Sequence, residues 1–352
     1  DIRVLSRSEY EDRVRSILKK HHADSVTIRY DDGTIRDITA EVIGPARAGH
    51  ASPFSLKIVG ELDTSRAGFD FCVKGPYAYV ADGSNGLSVV DISIPSEPKF
   101  TGSLKTPGDA KVIYVCGNHA YVSLFRKGIA VVDISNPLHP ALTASLEGNA
   151  LDIFVLGKYA YVVHGEDGLS VIDVINPTRP KVVGTLNTPG MAQDVCVSGD
   201  YAYVADFDGL QIVNVQTQSQ PKIVGSINAG SHPYGKELWQ RICVSGSCAY
   251  IVGAGTGLVI VDIRNPHNPQ RIGAWPCSET ENFEDVSVSG NYAYLAGYSG
   301  IRVIDISHPA SLKQIAFLSH QDNRRIALSG THAYVTSLMG NLKVIEIQHP
   351  VP

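Results

Sequence analysis

The chemistry this sequence could support gathers at a few side chains set at a regular interval. Asp70, Asp152, Asp194 and Asp285 hold one recurring place, and the same place in three further copies is Val112, Arg241 and Arg325. Carboxylates brought together can share a proton, work as acid and base, or hold a cation. Recurrence throughout the chain favours a structural reading instead, with hydrogen bonds between neighbouring units. Two arginines among four acids would offset part of the charge. His164, His232 and His320 could form a three-histidine metal site or supply a general base. The simpler expectation is three unrelated loop residues, with no metal and no cofactor.

Two segments depart most from the repeat. NAGSHPYGKELWQR (228–241) is the longest of its set, followed by WPCSETENFED (275–285). They carry the only two tryptophans, Trp239 and Trp275. The first adds His232, Tyr234, Lys236 and Arg241; the second adds Glu279, Glu281, Glu284 and Asp285. Aromatic rings with a few charges on a concave rim suit a sugar, a peptide or a small organic molecule. Packing of the two loops on each other is the alternative. The expected ligand contacts are Trp239, Trp275, Tyr234, His164, His320, Asp285 and Arg325. If the pocket is catalytic, His232, Tyr234 and Arg241 are the candidate base, acid and anion clamp of a hydrolase, lyase or isomerase.

A repeat must position these residues. The pair Ala-Tyr occurs seven times, and its tyrosines (Tyr79, Tyr121, Tyr161, Tyr203, Tyr250, Tyr294 and Tyr334) lie 42, 40, 42, 47, 44 and 40 residues apart. Before each pair stands a glycine, from Gly75 and Gly117 to Gly290 and Gly330, suited to the first central place of a type II′ hairpin turn. After it come a strand such as LSVVDI (87–92), an Asn-Pro-type turn, and a strand such as PKVVGTL (180–186). Four short β-rich strands per unit, seven times over, predict a seven-bladed all-β propeller of four-stranded blades. The seventh copy ends without a fourth strand, while LKIVGEL (56–62) precedes the first. That N-terminal strand is expected to complete the last blade and remove the exposed edges.

LVIVD (258–262), IAVVDISNP (129–137) and LSVIDVINP (169–177) resemble the LVIVD repeats of bacterial and archaeal β-propeller proteins. The resemblance covers about residues 54–348. It implies the fold and, since many such proteins are exported or surface-associated, an extracytoplasmic location. It carries no shared catalytic motif.

Residues 1–50 differ from the repeat. Ser6 with Glu9 resembles a capping box, and Tyr10, Val14, Ile17 and Leu18 share one helical face. SVTIRY (25–30) and TIRDITAEV (34–42) flank a turn and read as a hairpin. The division expected is therefore 1–50, a helix-plus-hairpin extension, and 54–352, the propeller. The extension is read as a cap on the propeller, or as an arm for oligomerisation.

Composition narrows the partners. With a net charge of −5, bulk charge offers no basic face for nucleic acid. No apolar run is long enough for a membrane-spanning helix. The chain opens on Asp1 rather than Met, so a processed or trimmed product is expected. Cys72, Cys196 and Cys243 share one repeat position and read as small core residues; Cys243 and Cys248 could pair across a turn. GAGTG (253–257) is a hairpin loop with no following helix, hence no phosphate cradle. DGSNG (82–86) and GEDG (165–168) lack the spacing of a calcium loop. The function expected is a propeller that binds a small molecule, sugar or protein through the loops before the fifth and sixth repeats; the alternative is an enzyme with its pocket on the same face.

Overall fold

The computed structural model describes residues 25–29, 35–39, 54–63, 68–232, 235–276, 282–337 and 340–348, the backbone alone for 25–29, 35–39, 231–232 and 235–236. The chain divides into two compact units, Asp1–Pro53 with Pro350–Pro352, and Phe54–His349. In the first, Ser25–Arg29 pairs antiparallel with Ile35–Thr39. The helix expected over residues 6–22 lies outside the described residues.

The second unit is a seven-bladed β-propeller of four-stranded antiparallel blades. The first blade shows the plan: inner strand Asp70–Lys74, second strand Tyr77–Ala81, third strand Leu87–Asp91 and outer strand Lys99–Leu104. Inner and second strands meet at a two-residue turn whose glycine has φ near +57° in the first blade and between +54° and +60° in the others. The residue after it, Pro76 in the first blade, is not left-handed, which is the type II′ pattern. The last blade takes its outer strand, Ser55–Asp63, from the N-terminal side and pairs it with Asn341–Gln348.

Packing explains the repeated residues. All seven alanines of the Ala-Tyr pairs are wholly buried, and their tyrosines are at most 8% exposed. The core falls into clusters that each join two successive blades. One unites Tyr79, Leu87 and Val89 of the first blade with Ile113, Val122 and Val132 of the second. Another unites Tyr334 and Val344 of the seventh with Phe71 and Val80 of the first. Each middle strand is therefore covered on both faces, and its run of Val, Ile and Leu follows from that.

The aspartate that ends the third strand in five of the blades organises the turn to the outer strand. Asp91 accepts the Ser93 backbone N–H at 2.8 Å, and Asp133 and Asp305 do the same for Ser135 and Ser307. Hydrogen bonds from the hydroxyl and the backbone N–H of each serine hold the three carboxyls below their ordinary range. The turn then presses on the preceding blade: a Cβ added at Gly102 would overlap the carbonyl oxygen of Pro137.

Candidate functional site

The inner strands surround a central cavity of about 340 Å³. Its wall includes the recurring aspartates and arginines near the face where the inner strands begin, and Cys72, Tyr114, Phe154, Cys196 and Cys243 two residues further along. Tyr114 and Phe154 pack as a tilted ring pair with centroids 4.6 Å apart on one side.

Each aspartate of the ring reaches to the next blade. Asp70, Asp152, Asp194 and Asp285 accept the backbone N–H of Ile113, Val195, Ile242 and Ile326 at 2.9, 3.1, 2.6 and 2.9 Å. The thiols repeat the pattern one layer below, since Cys72, Cys196 and Cys243 bond the backbone of Val115, Val244 and Val288. Burial pushes the Cys72 thiol up to about 11 and those of Cys196 and Cys243 up to about 12. Such thiols are protonated at neutral pH and are poor nucleophiles. Cys243 and Cys248 are both free.

The two arginines are bound into the ring. Arg325 donates to Asp70 at 3.0 Å and Arg241 to Asp194 at 3.4 Å. Burial raises the Asp285 carboxyl to about 6, against the opposing pull of Arg325. Burial, then the charge and hydrogen bond of Asp194, raise Asp152 well above the carboxylate range. Asp152 therefore favours its protonated form, and Asp285 can exchange a proton near pH 6.

The sequence candidates are dispersed. Asp285, Arg325 and Arg241 meet in the ring. Trp239 is wholly buried between the fourth and fifth blades, where it packs with Ile212 and Ile251. Its indole Nε1 donates to Glu237 at 3.1 Å, and Glu237 is forked by Arg271 at 3.1–3.2 Å. The long loop is thus pinned to the outer strand of the fifth blade, and the Trp239 ring has no exposed surface to offer a ligand. Trp275 ends that outer strand, half-buried in a different core cluster. For His232 only the backbone is described, in a short hairpin of Ser231–His232 with Gly235–Lys236, and Tyr234 lies outside the described residues.

His164 directly follows the second strand of the third blade, Tyr159–Val163. Its Nδ1 contacts the Asn149 carbonyl, its Nε2 is buried with no partner, and burial lowers its pKa. His320 belongs to the loop before the seventh blade, where its Nδ1 lies 2.9 Å from the Lys343 Nζ. Lys343 is 2% exposed and burial lowers its pKa. Sequence reasoning missed it because the corresponding third-strand place is Ser88, Ala130, Ser170, Gln211, Val259 and Arg302 in the other blades and shows no trend.

The LVIVD repeat matches residues 68–106, 107–146, 147–188, 189–229, 239–275 and 282–316. No curated protein matches the chain by sequence. Solved structures share the fold at low identity. The β-propeller domain of Cps50 (Swd1) from Myceliophteria thermophila is 12% identical with a TM-score of 0.66, over 84% of this chain and 100% of that one. The computationally designed Ika8 protein is 9% identical with a TM-score of 0.62, over 82% and 99%. BamB from Moraxella catarrhalis is 11% identical with a TM-score of 0.58, over 85% and 99%.

Proposed function

The chain belongs to the LVIVD-repeat family, and on that premise we propose that it is a ligand-binding propeller, exported or surface-associated, with its site where the central cavity meets the loop face. The ring of four carboxyls and two guanidinium groups carries this reading. Charges taken from water destabilise a fold unless they are well paired. The second blade holds Val112 at the same place and is built like the others, so the architecture does not require charge there. Polar groups converging on a cavity of this size suit a small molecule, a sugar, or the tip of a peptide. The long loop before the fifth blade, pinned through Glu237 and Arg271, would form one fixed wall above it.

A second reading, an enzyme pocket in the same cavity, draws on the Asp285 carboxyl raised to about 6. It would make Asp285, rather than His232 or Tyr234, the group that carries the proton for a hydrolase, lyase or isomerase.

Thermal melting of the purified chain against metals, sugars, peptides, amines and organic acids tests the first reading. A ligand that binds only the folded state adds about 2.7 kcal/mol at a hundredfold excess over its dissociation constant. A shift that disappears in Asp285→Asn or Arg241→Gln supports a site in the cavity. Absence of any shift, or a shift indifferent to both variants, counts against it. A conversion of the bound compound that Asp285→Asn abolishes would favour the enzyme. Oligomerisation through residues 1–50 is tested by light scattering with and without them, and the extracytoplasmic location by cell fractionation.

A further inference from the structure

One residue before the Asp/Arg ring, nearer the loop face, three consecutive blades carry Arg324, Phe69 and Lys111, from the seventh, first and second. Across the ring the same place is Leu151, Gln193 and Gln240. Lys111 Nζ lies 3.4 Å from the Phe69 ring centroid, and the Arg324 guanidinium carbon lies 4.8 Å from it. Two cations thus share one aromatic ring. Among the described residues neither side chain makes a hydrogen bond or ion pair, and the Arg324 Nε is buried without an acceptor. Burial, and to a smaller degree the Arg324 charge, lower the Lys111 pKa against the pull of Asp109. Burial and the charges of Arg325 and Arg241 lower that of Arg324.

The backbone makes this corner exceptional too. In the first five blades the inner and second strands pair without a register shift. In the sixth and seventh a bulge intervenes, and Glu284 and Arg324 are the extra residues. Bulges re-aim side chains and are frequent beside functional sites.

We infer that Lys111 and Arg324 clamp the carboxylate of an organic monoacid at the mouth of the cavity, with Phe69 as the spacer between them. The inference rests on the binding reading above and names its ligand class. The guanidinium edge formed by Nε and Nη matches the two oxygens of a carboxylate, whereas a ring face offers no acceptor lone pairs. With Arg241 and Arg325 already tied to Asp194 and Asp70, Asp285 and Glu284 are left to repel a second negative charge. The rest of the molecule is therefore uncharged or cationic, and it extends toward Tyr114, Phe154 and the thiols. A dicarboxylate or an inorganic phosphate is disfavoured for the same reason.

Titration calorimetry at constant ionic strength tests this with phenylacetate, its amine counterpart phenethylamine, succinate and inorganic phosphate. Phenylacetate is expected to bind saturably at millimolar concentrations and more tightly than succinate or phosphate. Lys111→Gln and Arg324→Gln should each weaken it by about tenfold or more, while Arg264→Gln, on the opposite face, leaves it unchanged. The unliganded melting temperature of each variant checks that it folds. Phenylacetate affinity unchanged from wild type in either variant, no phenylacetate binding, or binding of phosphate alone overturns the inference. Phenethylamine bound in its place and lost in Asp285→Asn also overturns it, while leaving the binding propeller standing.

Discussion

Arg325 and Asp70, 255 positions apart in sequence, meet in a buried ion pair at 3.0 Å that joins the seventh blade to the first. The second oxygen of Asp70 holds the Ile113 N–H of the second blade, so one carboxyl ties three blades. Removing one member of a buried pair leaves the other charge uncompensated, at a cost of about 3–5 kcal/mol. Arg325→Ala and Asp70→Ala should each lose stability on that scale in denaturant unfolding. A loss below about 1 kcal/mol would show that water reaches the pair.

Asp285 sets a pH dependence whose sign follows from its raised pKa. Its folded value, about 6, exceeds the ordinary aspartate value of 3.8. Between the two the folded state binds more protons than the unfolded state, so this group's contribution is fully present below pH 4 and is lost as pH rises through 6. The span corresponds to roughly 2–3 kcal/mol. Comparing unfolding free energies of wild type and Asp285→Asn from pH 4 to 7 isolates it. The asparagine variant should gain relative stability as pH rises; parallel curves would refute the assignment.

The two tryptophans should differ in fluorescence. Trp239 is wholly buried and Trp275 is only partly buried. Trp275→Phe should therefore leave a blue-shifted emission that acrylamide quenches weakly, and Trp239→Phe a redder one quenched readily. Trp239→Ala opens a core cavity and should cost about 3–5 kcal/mol. A ligand shift lost in that variant would thus report core damage.

The thiols in the cavity wall should be inert in the native state. With values near 11 and 12, Cys72, Cys196 and Cys243 hold almost no thiolate at pH 7.5. Mass-resolved alkylation should label them only after unfolding. Rapid native labelling of any one would mean that its blade interface opens.

Gly102 tests how closely the blades approach. A Cβ there meets the Pro137 carbonyl of the next blade, so Gly102→Ala should destabilise by about 1–3 kcal/mol. The second blade has Ala144 at the equivalent place, so Ala144→Gly should have a much smaller effect.

The spacing of seven Ala-Tyr pairs was enough to read the repeat, the number of blades and the four-strand grammar of each. Those features are local: a turn glycine, an alternation, and an aspartate that caps its own turn all act within a few residues. The ring aspartates could also be read as links between blades, because each repeats the same contact with its neighbour. The site was harder to read because it is made of departures from the repeat. Trp239 stood out by type and loop length, yet an indole in a long loop can point inward as well as outward, and the Glu237 and Arg271 pair turned it into the core. Arg324, Phe69 and Lys111 are unremarkable in three separate segments and become neighbours only when the ring brings the seventh blade beside the first. The bulge that re-aims Arg324 depends on strand pairing, which sequence spacing does not specify. Short-range geometry therefore belonged to the sequence alone, while the burial of each loop side chain and the meeting of distant cations belonged to the tertiary structure, because they depend on which blades face each other across the channel.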